Sequence, residues 1–100
     1  MFWTVYCIDK PNTAAAREEH MQVHRDYVDS MMHGVFFAGP LQTDDASASL
    51  GTLFILNMNG REEAERFIED EPFNRAGIFE KVAIHRMSKR RHNAQLADVP

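Results

Sequence analysis

One hundred residues with 44% hydrophobic content make one domain with a real core, and are too few for two. Residues 1–85 hold 14 Asp and Glu against 7 Lys and Arg, residues 86–100 hold 4 Lys and Arg against a single Asp, and the formal net charge is −4. An acidic body argues against nucleic acid as the partner, no apolar run approaches the ~18 residues of a membrane span, and MFWTVYCIDK lacks the pattern of a signal peptide, so a cytoplasmic protein is expected.

Phe2–Ile8 (FWTVYCI) is aromatic and β-branched without a helical period, and reads as a strand buried on both faces. Its Cys7, the one cysteine, cannot form an internal disulfide and reads as a small core residue. Asp9-Lys10-Pro11-Asn12 turns the chain, and Asn12 or Thr13 can cap a helix starting there. Thr13–Met32 is the most informative stretch. At about 100° per residue, Glu18, Glu19, Gln22, Arg25, Asp26, Asp29 and Ser30 share one side of a helix, and Ala16, Met21, Val23, Tyr27, Val28, Met31 and Met32 the other. Arg17, His20 and His24, spaced i, i+3, i+7, lie on the apolar arc. Turning such groups inward is costly unless they are paired or hydrated, so they mark a candidate site.

His33-Gly34 ends this helix, with Gly34 suited to the left-handed C′ conformation. Val35–Ala38 is a short strand closed by Gly39-Pro40, and Pro40 belongs at a strand end or sheet edge. Residues 41–49 form a polar loop carrying Asp44 and Asp45. Leu50–Asn57 reads as a central strand. Arg61–Asp70 is a second helix with Ala64, Phe67 and Ile68 as its stripe, ended by Pro72. Phe73–Ile78 is a connector, and Phe79–Met87 a fourth strand with Val82 and Ile84 on one face and Phe79, Ala83 and His85 on the other. Residues 1–87 thus form the domain, and 88–100 a tail or dimer arm that orders only against a partner. Its basic cluster, Arg86, Lys89, Arg90 and Arg91, reads as a solvated end or a contact to an acidic neighbour.

The element order is β-α-β-β-α-β. It implies an α+β split βαβ fold, a four-stranded antiparallel sheet with two helices on one face. Phe2, Trp3, Tyr6, Phe36, Phe37, Phe54 and Phe79 exceed what two helices can cover, so a second copy packed sheet to sheet, a homodimer, is expected.

Asp9-Lys10-Pro11, Arg17 followed by His24, Gly39-Pro40-Leu41, and Glu71-Pro72-Phe73 followed by Ala76-Gly77 form an ordered set that resembles the YCII-related (YciI-like) proteins. The resemblance runs from the first strand to about Ile84. It implies a ferredoxin-like dimeric α/β barrel and an enzymatic role for a recurring histidine and aspartate. One member class acts as a dehydrochlorinase of chlorinated hydroxyquinols. The family histidine falls on His24, its arginine on Arg17, and its aspartate on Glu71, one methylene longer. Asp70, Asp44 and Asp45 are the alternative acids.

The expected catalytic set is therefore His24, Glu71 and Asp45, with Arg17 and His20 binding substrate. A neutral imidazole held by a carboxylate suits proton abstraction next to a carbonyl, or elimination or isomerisation on a ring. Arg17 can hold a substrate oxygen through its planar donors. His20 and His24 also have the i, i+4 spacing of paired metal ligands, with only Asp44, Asp45 or His85 to complete a set and no HExxH pattern, so no metal and no cofactor are assigned. The reading is a cofactor-independent lyase or isomerase acting on a small molecule. The alternative is a non-catalytic binding or accessory module, which expects His24 sealed by packing with no cavity beside it.

Overall fold

In the computed structural model, which describes residues 1–100, the chain runs β1 (Phe2–Asp9), α1 (Ala14–Ser30), β2 (Val35–Gln42), β3 (Ser49–Asn57), α2 (Arg61–Asp70), α3 (Pro72–Arg75) and β4 (Phe79–Met87). The strands form one antiparallel sheet in the order β2-β3-β1-β4. This is the expected ferredoxin-like α+β fold. β3 and β1 are the inner strands, and Pro40, which has no amide donor, sits on the edge strand β2.

Alternation decides which way each strand faces. Trp3, Val5 and Cys7 of β1 and Phe54 and Leu56 of β3 point to the helices, where they meet Ala64, Phe67 and Ile68 of α2 and Phe73 of α3. Each large apolar side chain buried there contributes about 1.5–3 kcal/mol. The Trp3 indole N–H keeps its hydrogen bond by donating to the Met58 carbonyl at 3.2 Å. The opposite face of β1 is not buried, contrary to the two-sided reading of FWTVYCI: Tyr6 is 41% exposed, and next to it on the same face stand Leu53 and Ile55 of β3, only partly covered. Hydrophobic content alone does not distinguish a strand covered on two sides from one whose second side is open in the single chain.

Several local details differ from the sequence reading. Helix α1 has Thr13 at its N-cap position, but the Thr13 hydroxyl donates back to the Lys10 carbonyl at 2.8 Å instead of capping. Asn12 takes the left-handed conformation, at φ 61°. Gly34 does not, because α1 ends through a 3₁₀ turn at Met32–Gly34. Val23, at the edge of the apolar arc about 100° from His24, is 51% exposed. The supposed connector after Pro72 carries its own helical turn, α3, with Phe73 and Ile78 fully buried. A register shift between Ile8 and Asp9 turns Phe79 inward, so it leaves the face of Ala83 and His85.

Beyond Met87 the chain is exposed apart from its contact with the sheet, where the Lys89 ammonium lies over the rings of Phe2 (5.4 Å) and Phe36 (5.9 Å). No helix is long and apolar enough to cross a membrane.

Candidate functional site

The inward groups of α1 divide. Arg17 and His24, seven residues apart, return to nearly the same angle on the helix and both face β3, whereas His20, about 40–60° away around the axis, lies on the flank of α1 next to Tyr27. There it lines an open groove with Asp26, Tyr27, Asp70 and Arg75. The structure therefore does not bring His20 to His24.

Arg17 is 6% exposed and almost wholly engaged. Its Nε donates to Asp9 Oδ2 at 2.6 Å, and Nη2 donates to Asp9 Oδ1 (3.2 Å), the Gly51 carbonyl (3.0 Å) and Thr52 Oγ1 (2.8 Å). The guanidinium also covers the Phe73 ring at 4.7 Å. The two-point pair with Asp9 compensates the buried charge. Nη1 alone has no protein partner and is not sealed from solvent, and Arg17 lines both the cavity beside His24 and a second groove beside Asp9 and Lys10.

His24 is oriented from two directions. Its ring stacks on Phe73 with centroids 4.0 Å apart and planes within 7°, and its Nδ1 is hydrogen-bonded to Glu71 Oε1. Glu71 is fully buried. It stands between α2 and α3, held extended before Pro72, which occupies the first turn of α3, and its Oε2 accepts the Asn74 amide at 3.1 Å as the helix cap. One carboxylate thus starts a helix and fixes an imidazole. With Nδ1 so occupied, Nε2 is the free nitrogen, unsealed by the same accounting as Arg17 Nη1.

Both free nitrogens belong to residues lining one cavity of about 230 Å³ between α1 and the β2–β3 edge. Its inner end is formed by buried Arg17, Thr52, Phe54 and Phe73, and its mouth by exposed Arg25, Ala38, Pro40 and Ser49. The volume exceeds the ~150 Å³ apolar cavity known to take benzene, so a substituted six-membered ring has room.

Asp45 is not part of this arrangement. Its carboxylate accepts hydrogen bonds from Thr43 Oγ1 (2.8 Å), Ser47 Oγ (2.7 Å) and Ser47 N (3.0 Å) within its own loop, and those bonds lower its pKa to about 2. Asp44 is exposed in the same loop, and Asp70 faces the grooves beside Tyr27. The acid at His24 is Glu71. Beneath it the Cys7 thiol is pushed up to about 12, first by burial, then by the fields of Glu71 and Asp9, with Arg17 opposing. Tyr27, whose hydroxyl donates to the Phe67 carbonyl, is likewise raised to about 12 by burial, then by Asp70 and Glu71.

Sequence reasoning gave no site role to Asp9, Thr52, Phe73 or Arg25, although Asp9 and Phe73 lie in the motifs that carry the family resemblance. Asp9 carried one usable signal, an acid at a strand end eight residues before an inward arginine. Thr52 and Phe73 reach the site only through strand pairing and the short helix α3.

A family model described as the YCII-related domain matches residues 1–88. Among solved structures, 5-chloro-2-hydroxyhydroquinone dehydrochlorinase (TftG) from Burkholderia phenoliruptrix AC1100, in complex with 2,5-dihydroxybenzoquinone, superposes with a TM-score of 0.81 at 23% identity, covering 88% of this chain and 94% of that one. The At3g17210 protein of Arabidopsis thaliana gives a TM-score of 0.48 at 9% identity over 92% of this chain and 97% of that one. No curated protein matches the sequence. The matched span takes in every residue of the cavity and of the His24–Glu71 and Arg17–Asp9 pairs, and the chain belongs to the family of YCII-related domains.

Proposed function

We propose that this protein is a cofactor-independent enzyme of lyase or isomerase type that moves a proton on a small ring or carbonyl metabolite, with His24 as its base. The observation that carries this reading is an imidazole that lines a ring-sized cavity, with Nδ1 held by buried Glu71 and Nε2 without a protein partner. Glu71 fixes the tautomer with the proton on Nδ1, leaving the Nε2 lone pair to accept a proton from carbon or oxygen of the ligand. The resulting imidazolium is stabilised by the same carboxylate and can return the proton to a neighbouring atom or to a leaving group. Arg17 Nη1, at the inner end, offers a donor to an oxygen that gains charge as the proton leaves. The dehydrochlorinase of the same fold is complexed with a small oxygenated ring, which supports a ring substrate here.

The test is hydrogen–deuterium exchange in a panel of hydroxylated and halogenated ring compounds and small ketones, followed by proton NMR in deuterated buffer. Wild type should catalyse exchange or elimination in at least one compound, and His24→Asn should lose about 10²–10⁴-fold of that rate. Equal rates in the two proteins overturn the role of His24. A module that only binds would give saturable binding with no exchange.

We further propose a cytoplasmic homodimer, the uncovered face bearing Tyr6, Phe37, Leu53 and Ile55 supporting the pairing. Residues 88–100 then serve as a dimer arm.

A further inference from the structure

The cavity carries a charge that its own residues do not compensate. Among the residues lining it there is no aspartate or glutamate, although the chain as a whole is acidic. Arg17 has its countercharge in Asp9. Arg25, at the mouth, has none: the ion pairs of this chain join Arg17 to Asp9, His24 to Glu71 and Arg61 to Glu65, and Arg25 makes no side-chain hydrogen bond to its helical neighbours. Gln22 and Asp26, which flank it on α1, are hydrogen-bonded to each other.

We infer that the ligand of this cavity is a small planar oxyanion, with Arg25 as its counter-ion and the residue that selects anions over neutral rings. The inference rests on the proposed small-molecule site and names the ligand's chemical class. Arg25 lines the same cavity as His24, about 100° around the helix from it, and its long, flexible side chain gives the guanidinium the reach to meet an anion held there. The guanidinium offers paired N–H donors to a carboxylate or to the oxygen of a ring enolate. Phe54 and Phe73 supply the apolar surface against which the flat part of the ligand rests, and Arg17 Nη1 takes an oxygen at the inner end. Such an anion is also the form in which a hydroxylated ring has electron density to expel a substituent, so holding it at the base serves the chemistry.

Four probes separate the sources of the negative charge. 2,5-Dihydroxybenzoquinone, a vinylogous acid, and 2-hydroxybenzoate are anions at neutral pH, and 2,5-dimethoxybenzoquinone and 2-hydroxybenzamide are their neutral counterparts. Affinities measured by ligand-observed NMR or calorimetry in wild type should favour at least one anion over its counterpart by about tenfold or more, equivalent to about 1.4 kcal/mol. The pair that shows it tells whether the site takes a ring oxyanion or a carboxylate. Arg25→Gln should reduce the preference to about threefold or less, and Arg25→Lys, which keeps the charge but not the paired donors, should retain only part of it. His24→Asn should keep it too, since the guanidinium sets it. A preference that survives Arg25→Gln overturns the assignment, as does one that disappears with His24 alone, or the absence of saturable binding by all four probes at millimolar concentration. Loss of proton exchange in His24→Asn with the anion preference intact leaves Arg25 as the counter-ion. Full exchange activity in His24→Asn removes the base and leaves the counter-ion standing.

Discussion

Glu71 is the residue on which the most structure depends, because it is fully buried and its two oxygens serve two partners, His24 Nδ1 and the Asn74 amide. Glu71→Ala leaves an imidazole and a helix N-terminus without their partner, and is expected to cost about 3–5 kcal/mol in denaturant unfolding. Glu71→Gln keeps the shape and both contacts without the charge, and should cost about 1–3 kcal/mol. If Glu71 orients His24, the Gln variant also loses proton-transfer activity while ligand affinity stays within a few-fold. Glu71→Asp restores the residue the family resemblance names at this position; with one methylene fewer, the carboxylate can still cap α3 but is drawn back from His24. Cys7 offers a simpler check. Buried and held protonated, its thiol should resist alkylation at pH 8 in the folded protein and react at once in guanidinium chloride.

At the scale of elements, the site exists because α3 follows α2 after a single extended residue, Glu71. Pro72 forbids α2 from continuing, yet its fixed φ suits the first turn of a new helix, and that turn delivers Phe73 beneath both His24 and Arg17. Phe73→Ala should cost about 3–5 kcal/mol, and should loosen both site residues at once. The turn out of α3 requires Gly77, at φ 75°, so Gly77→Ala is expected to lower stability by about 1–2 kcal/mol. Strand β3 has a tighter constraint. A Cβ at Gly51 would sit 2.0 Å from the Cys7 carbonyl oxygen, a backbone atom that cannot give way without parting β1 from β3. Because the Gly51 carbonyl also accepts from Arg17 Nη2, Gly51→Ala should disturb the inner end of the cavity along with the sheet, visible as loss of both cooperative unfolding and probe binding.

For the whole molecule, the open sheet face is the feature a single chain leaves unfinished. Phe37 is 64% exposed on edge strand β2, and Leu53, Ile55 and Tyr6 continue the same surface inward. If a second copy covers it, Leu53→Lys should shift sedimentation from dimer to monomer and lower stability in a concentration-dependent way. Deletion of residues 88–100 should weaken the dimer if the tail is its arm. Cys7 and Tyr27, both raised to about 12 from usual values of 9.0 and 10.0, make stability depend on alkaline pH. Below pH 9 both are protonated whether the chain is folded or not. Between about pH 9 and 12 the unfolded chain releases protons that the folded one retains, so stability falls as pH rises. Urea midpoints taken from pH 8 to 11 should decline, and more gently in a Cys7→Ala, Tyr27→Phe double variant.

The sequence by itself determined the order of elements, the single core and the presence of charged groups on the inner arc of α1, because periodicity and turn chemistry are local properties that neighbouring residues state directly. The motif around Glu71-Pro72-Phe73 was legible too, although its helical turn was not, since four residues carry too little period to reveal one. Only the tertiary structure decided which of Glu71, Asp70, Asp44 and Asp45 meets His24, that Asp9 neutralises Arg17, that His20 faces elsewhere, and that Arg25 stands at the mouth of the cavity. Those pairings join residues 8 to 47 positions apart, and their distances depend on strand register and on the angle at which a helix lies across a sheet. Neither is written in any one segment.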